Sequence, residues 1–241
     1  MLRFPIFRRR FRHLHHAFRQ WGASPYFGFI QGHLHLDDEQ LHLVADAVGN
    51  SLPDVVAEYE QRYGALIGNG KTVSFAACRM GFFALMQELS ISEGDEVVLP
   101  GATCSVMANA VLRVGARPVY ADIDPETLGS YVDAIQRVLS IRTRLIVAQH
   151  SFGIPCEIEA IADMAQSRNI FLVEDCALTL GSKINGKTVG NFGNAALFST
   201  DHSKPLNTLA GGLVYSRDTN LVSQLRKRQG ESKDLPVERQ K

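Results

Sequence analysis

The chain has 241 residues, 45% of them hydrophobic and 21% charged, enough for one large globular domain or two small ones with a full core. Lys plus Arg equals Asp plus Glu, 25 against 25, so the overall charge offers no argument for nucleic acid. No apolar run approaches the ~18–20 residues of a membrane helix, no apolar signal core follows the N-terminus, and the four cysteines lack Cys-x-x-Cys spacing, which disfavours zinc and a disulfide framework and fits a reducing cytoplasm.

The charge is spread unevenly. Residues 1–36 hold six arginines and no acid, and the remainder holds 19 bases against 25 acids. Basic and aromatic residues interleave in RRRFRHLHHAFRQW, the pattern of a solvated extension, a surface amphipathic helix or a partner-binding arm. Its histidines (His13, His15, His16, His33, His35) have no carboxylate or cysteine at ligand spacing, so a metal is a poor reading. From Asp37 the pattern changes. DDEQLHLVADAV reads as a helix with acids in its first turn, and residues 54–66 read as a second, ended near Gly68 and Gly70.

Strand and helix signals then alternate. Apolar or β-rich runs lie at 73–77, 96–100, 118–121, 145–149 and 170–174, with helical patterns between them at 80–89, 105–114, 131–139 and 157–167. Two more strand-like runs follow at 195–199 and 212–216, then a helix over 220–228 and a polar tail. Apolar strands without alternation, separated by helices, predict an α/β domain with a mostly parallel sheet covered on both faces. In such sheets ligands gather at the carboxyl ends of the strands.

Three strand ends carry chemistry. Asp175 follows the apolar strand IFLVE, where a carboxylate either faces the ligand crevice or caps the next segment. Lys204 lies five residues beyond Ser199, within reach of the same crevice, although a lysine there is equally at home on the surface. Cys78 and Arg79 stand where the first strand gives way to a helix, a turn whose free N–H groups suit an anion. Arg79 adds a guanidinium for phosphate, or is simply solvated. No Gly-x-Gly-x-x-Gly or Walker pattern occurs there. An anion cradle, a carboxylate and a lysine are what pyridoxal phosphate needs for its phosphate, ring nitrogen and aldehyde.

Longer stretches carry a resemblance. They are GDEVVLPGATCSVMANAVLRVGARPVYADIDPETL, IVAQHSFGIPCEIEAIADMA, FLVEDCALTLGSKINGKTVGNFGNAALFS and SKPLNTLAGG. In order and spacing they resemble the DegT/DnrJ/StrS family of pyridoxal-phosphate aminotransferases, of fold type I, which act on nucleotide-linked keto sugars. The resemblance covers residues 37–230. It implies a three-layer α/β/α large domain there, between the basic arm 1–36 and the polar tail 231–241. It implies pyridoxal 5'-phosphate as cofactor and Lys204 as the residue forming the internal aldimine. Asp175 falls on the acid that pairs with the pyridine nitrogen and Ser199 on a serine that contacts the phosphate. Four cofactor-side positions depart from the family pattern. Cys78 and Arg79 replace Gly and Thr in a Ser-Gly-Thr turn, Cys104 replaces an aromatic residue stacked on the ring, and Leu178 replaces Gln or His. Thr103, His150 and Asn109 keep family-like positions as scaffold.

The implied reaction moves an amino group, from glutamate, to a keto sugar nucleotide in polysaccharide biosynthesis. A lysine rather than a histidine at 204 favours amino transfer over sugar dehydration. Small-molecule substrates, a homodimer and a cytoplasmic setting belong to the same implication, with no nucleic acid and no transmembrane segment. The family's smaller C-terminal domain, which covers the active site, is expected to be missing from this chain. Two alternatives stand beside this reading: a truncated or degenerate homologue that binds cofactor or a partner chain without turnover, and a lyase of the same fold.

Overall fold

A computed structural model describes residues 53–201, 203–208 and 210–232. The basic arm and the helix expected over residues 37–48 lie outside the described residues. In chain order the elements are α1 (Pro53–Ile67), β1 (Lys71–Phe75), α2 (Cys78–Glu88), β2 (Glu96–Pro100), α3 (Ser105–Arg113), β3 (Arg117–Ala121), α4 (Val132–Val138) and β4 (Thr143–Gln149). Then come α5 (Ile158–Ser167), β5 (Phe171–Asp175), β6 (Lys183–Ile184), β7 (Lys187–Thr188), β8 (Ala195–Ser199), β9 (Gly212–Ser216) and α6 (Thr219–Glu231).

Seven strands form one sheet in the order β1-β9-β8-β5-β4-β2-β3. The run from β8 to β3 is parallel throughout, and β9 lies antiparallel to both β8 and β1. Strands β2, β8 and β9 are buried at every position, which explains why they read as continuous apolar runs. Alternate residues still serve opposite faces. Val97 and Leu99 pack with Phe82, Leu85 and Val111 of α2 and α3, while Val98 packs with Ile135 and Ile161 of α4 and α5. On that second face, Tyr63 and Ile67 of α1 meet Phe198 and Tyr215, with the Tyr63 and Phe198 rings edge to face at 5.5 Å. The domain is the three-layer α/β/α arrangement expected.

Local chemistry sets the boundaries. Helix α6 starts at Asp218, whose Oδ1 accepts the N–H groups of Asn220 and Leu221 at 2.8 and 3.2 Å. It runs to Glu231, past residue 228 and one residue into the stretch expected as tail. Strand β1 begins two residues before the expected start, because the Thr72 hydroxyl is buried yet satisfied by the Glu60 carbonyl at 2.6 Å. Glu60 also accepts from Ser74 N–H and Oγ, both at 2.7 Å, and from Arg226 Nη1 at 3.0 Å. That carboxylate therefore fastens α1, β1 and α6 together at the sheet edge.

Candidate active site

The parallel strands deliver their polar residues to one end of the sheet. Gln149 ends β4, Asp175 ends β5 and Ser199 ends β8. The loop after β8 carries Lys204, and the turn between β2 and α3 carries Cys104. A cavity of about 230 Å³ at this end is lined by Cys104, Gln149, His150, Asp175, Leu178 and Lys204, among others. Ligand pockets for drug-sized molecules run from ~300 to 1,000 Å³, so this cavity suits a compact group rather than a dinucleotide.

Asp175 is the last residue of β5, one position earlier in the fold than a residue beyond the strand, and only 5% exposed. Its Oδ1 accepts the Ala177 N–H at 3.0 Å, a local cap that engages one oxygen. Burial raises its carboxyl above the ordinary carboxylate value, and the Ala177 N–H, Lys204 and His150 pull it back only in part. A folded carboxyl that holds its proton more tightly than the unfolded one loses stability as pH rises from about 4 through its folded pKa. The difference in denaturant midpoint between Asp175→Asn and the wild type, both cofactor-free, is therefore expected to move in the variant's favour with rising pH. A difference that stays flat from about pH 4 to pH 8 contradicts a buried, proton-holding Asp175.

Beneath the cavity lies a buried polar knot. Glu174 and His150 are each 0% exposed. Glu174 Oε1 accepts the N–H groups of Phe192 and Gly193, both at 2.7 Å, and Oε2 accepts the Gly190 N–H at 2.6 Å. His150 Nδ1 accepts the Cys156 N–H at 3.1 Å, which assigns the ring proton to Nε2 for donation to Glu174 Oε2 at 3.2 Å. Cys176 Sγ completes a His, Glu and Cys group within 4.8 Å, a spacing a metal ion fits. Three backbone N–H groups and the His150 ring engage Glu174, and the Cys156 N–H occupies His150 Nδ1, so these atoms already have partners. Burial holds the Cys176 thiol well above its usual pKa, so it stays protonated.

The lysine loop is clasped at its base. Thr200 N–H bonds to Gly211 O at 3.1 Å, Thr208 N–H bonds to Thr200 O at 2.9 Å, and the two threonine hydroxyls meet at 2.7 Å. Tyr59 of α1 donates its hydroxyl to Thr200 Oγ1 at 3.2 Å. Within the loop, Lys204 N–H closes a turn on Asp201 O at 3.0 Å.

The turn expected to bind an anion sits beside this loop. Helix α2 follows Ala77, which gives no side-chain cap, and the N–H groups of Cys78 and Arg79 have no partner among the described residues. Ser199 pairs in register with Gly212, and a Cβ on Gly212 would stand 2.3 Å from the Cys78 nitrogen. Only glycine lets the α2 N-terminus come so near the end of β8. Burial pushes the Cys78 thiol far above its usual range, Asp175 adds to the rise, and Lys204, Arg79 and Cys104 modulate it. Cys78 is thus within electrostatic reach of the acid and the lysine.

Of the seven residues singled out in the sequence, Cys104, Asp175, Leu178 and Lys204 line one cavity. Cys78 and Ser199 do not line it; they come together across Gly212. The Arg79 side chain instead lines a separate groove with Phe75, Met80, Phe83 and Asn109. Sequence reasoning passed over Gln149 and Phe152 as cavity residues. Gln149 was legible as the last residue of a strand; its Nε2 donates to Ala102 O at 3.1 Å and Ser151 Oγ at 3.0 Å. Phe152 has φ of 55°, a left-handed conformation that no local pattern announces. The Thr103 hydroxyl, next to Cys104, is buried without a hydrogen-bond partner.

Comparison with known proteins agrees with this fold. Residues 37–237 match the DegT/DnrJ/EryC1/StrS aminotransferase family. GDP-perosamine synthase of Escherichia coli O157:H7 is 38% identical over 160 residues, covering 66% of this chain and 42% of that protein. The dTDP-4-dehydro-2,3,6-trideoxy-D-glucose 4-aminotransferase of Saccharopolyspora spinosa is 37% identical over 145 residues, covering 60% and 38%. The crystal structure of DesI with its TDP-sugar product superposes with a TM-score of 0.73 at 28% identity, covering 80% of this chain and 50% of that one. The matched region spans less than half the length of these two curated relatives. With its fold, its order of motifs and most of its length in agreement, this chain belongs to the DegT/DnrJ/EryC1/StrS aminotransferase family.

Proposed function

We propose that this chain is the cofactor-binding large domain of a pyridoxal-phosphate aminotransferase, which moves an amino group from glutamate to a nucleotide-linked keto sugar. The observation that carries the reading is the convergence of Lys204 and buried Asp175 on one compact cavity. The unpartnered N–H groups of Cys78 and Arg79 and the orphaned Thr103 hydroxyl fit a missing polar group there. Guanosine and thymidine nucleotides in the names of the two relatives support a sugar nucleotide as acceptor. The cytoplasm suits four cysteines that are all free, and no helix among the described residues is long and apolar enough to cross a membrane. A homodimer belongs to the same reading.

Pyridoxal phosphate, when bound, supplies an electron sink. The chain's own groups do the rest. The α2 N-terminus and Ser199 would hold the phosphate, and the Asp175 carboxylate would pair with the protonated ring nitrogen as a charge-assisted contact. That pairing would add a directly bonded cation to a buried carboxylate whose one hydrogen bond is the Ala177 N–H. The Lys204 Nζ would hold the aldehyde end and, as a free amine once the amino donor is bound, would take the proton from the donor's α-carbon and hold it as an ammonium until it is passed on. Leu178 and Cys104 offer apolar contact where a side-chain amide and an aromatic ring are the family pattern.

Spectral titration tests the reading. Added cofactor is expected to develop visible absorption, fixed to Lys204 by borohydride, and glutamate is expected to bleach it as the amine form accumulates. Absence of visible absorption overturns the proposal. A second reading, cofactor binding without turnover, is favoured by Cys104 and Leu178 in the cavity and by the diversion of Arg79. Visible absorption that glutamate leaves unchanged selects it.

A further inference from the structure

Eleven arginines lie among the described residues. Five form ion pairs: Arg62 with Glu58, Arg117 and Arg142 with Glu96, Arg226 with Glu60, and Arg228 with Glu88. Arg113 and Arg137 stand over the rings of Phe83 and Tyr131, at 5.1 and 5.8 Å. The remaining four, Arg79, Arg144, Arg168 and Arg217, have no ion pair or hydrogen bond through the guanidinium among the described residues. Three of them, Arg144, Arg168 and Arg217, line the same cleft of about 660 Å³.

This cleft lies at the amino ends of the parallel strands, opposite the cavity with Lys204. Arg144 is near the start of β4, Arg168 caps the end of α5, and Arg217 follows β9. No aspartate or glutamate lines it. The amides of Gln166, Asn169 and Asn194 do, and Asn194 has its Oδ1 occupied by the Leu172 N–H at 2.8 Å, which leaves its NH₂ to donate. One ordinary role for Arg168 is to offset the negative end of the α5 dipole. That end is already closed by backbone, with Arg168 and Ile170 N–H on Ala165 O and Asn169 N–H on Gln166 O, at 3.3, 2.9 and 3.1 Å. Its guanidinium remains available.

A single exposed arginine carries no message. Three around one polar cleft, without a counter-charge, set up a positive potential that draws anions. Guanidinium forks match phosphate oxygens in pairs, and side-chain amides add neutral donors. The volume falls within the range of small-ligand sites. We propose that this cleft binds a phosphate-rich small anion of about three negative charges, a di- or triphosphate, at a site separate from the cofactor cavity. The two share no lining residue, so this proposal and the aminotransferase reading fail independently.

Calorimetric titration of the full chain with inorganic pyrophosphate, with and without pyridoxal phosphate, tests it. One saturable site per chain is expected, unaffected by the cofactor and weakening as salt rises. The exposed pair Arg168→Gln and Arg217→Gln together is expected to weaken it at least tenfold while leaving the ligand-free melting temperature unchanged. A parallel titration with ADP names the source: tighter binding than pyrophosphate assigns a nucleotide, weaker binding an inorganic or terminal diphosphate, and either supports the site. Absence of saturable binding overturns the proposal. So does an affinity that the double variant retains, or one that pyridoxal phosphate abolishes, since the anion then occupies the cofactor's own cradle.

Discussion

Lys204→Ala is expected to lower amino transfer by more than about 10³-fold, because in the proposed function one side chain is both cofactor anchor and proton carrier. Mass after borohydride reduction checks the first role, and rate measurement with glutamate and a keto acceptor checks the second. The variant retains cofactor only non-covalently, through the α2 N-terminus and Asp175. Folding stability is expected to stay within ~0.5 kcal/mol, since among the described residues no hydrogen bond involves the Lys204 side chain, and the backbone turn to Asp201 survives. One indirect effect follows. Lys204 is among the cations that pull the Asp175 carboxyl down, so its removal lets that carboxyl rise further in the cofactor-free chain. Undiminished transfer by the variant overturns the proposed chemistry. A comparable loss of stability would instead reveal a structural lysine.

Glu174→Gln is expected to give the largest loss of stability of any single conservative change in the site. The carboxylate accepts from Gly190, Phe192, Gly193 and His150, all of them donors. An amide keeps one oxygen, and its NH₂ then faces donors with nothing to accept. Breaking one side of such a buried charged network costs ~3–5 kcal/mol, against a total of only ~5–15 kcal/mol for an ordinary domain. Denaturant titration is expected to show a midpoint shift of that size, or a chain that no longer folds cooperatively. A loss below ~1 kcal/mol contradicts the network. Activity is expected to fall too, because the bonds fix the 190–193 loop and the floor next to Asp175.

The sheet was legible because burial on both faces leaves no room for polar alternation. Strands 96–100, 195–199 and 212–216 appear in the structure residue for residue as read. That Asp175 and Lys204 share one cavity was legible because strand ends in an open α/β sheet are where ligands gather. The knot around Glu174 was not. Its partners lie 16 to 24 residues away and are mostly backbone N–H groups, which carry no residue identity. The β6–β7 hairpin was signalled by Asn185-Gly186, with φ of 49° and 80°, yet its two-residue strands are too short to show a period. Arg79 illustrates a different limit. Its place on the first turn of α2 could be read, but the direction of its side chain depends on Phe75 and α3, which no spacing reveals.

The position of β1 at the edge of the sheet has a temporal consequence. Among the described residues its only sheet neighbour is β9, with Lys71 opposite Ser216 and Phe75 opposite Gly212. At ~5–20 residues per second, a ribosome takes on the order of ten seconds to travel from one strand to the other. Until β9 emerges, β1 has no strand to pair with and the flank of β8 stands open to pairing with another chain. Gly212, the residue that brings the α2 turn against the end of β8, arrives in the same step. The α2 turn and the lysine loop therefore meet only after β9 has emerged, and in the proposed function a cofactor would find both only once β1 and β9 have joined.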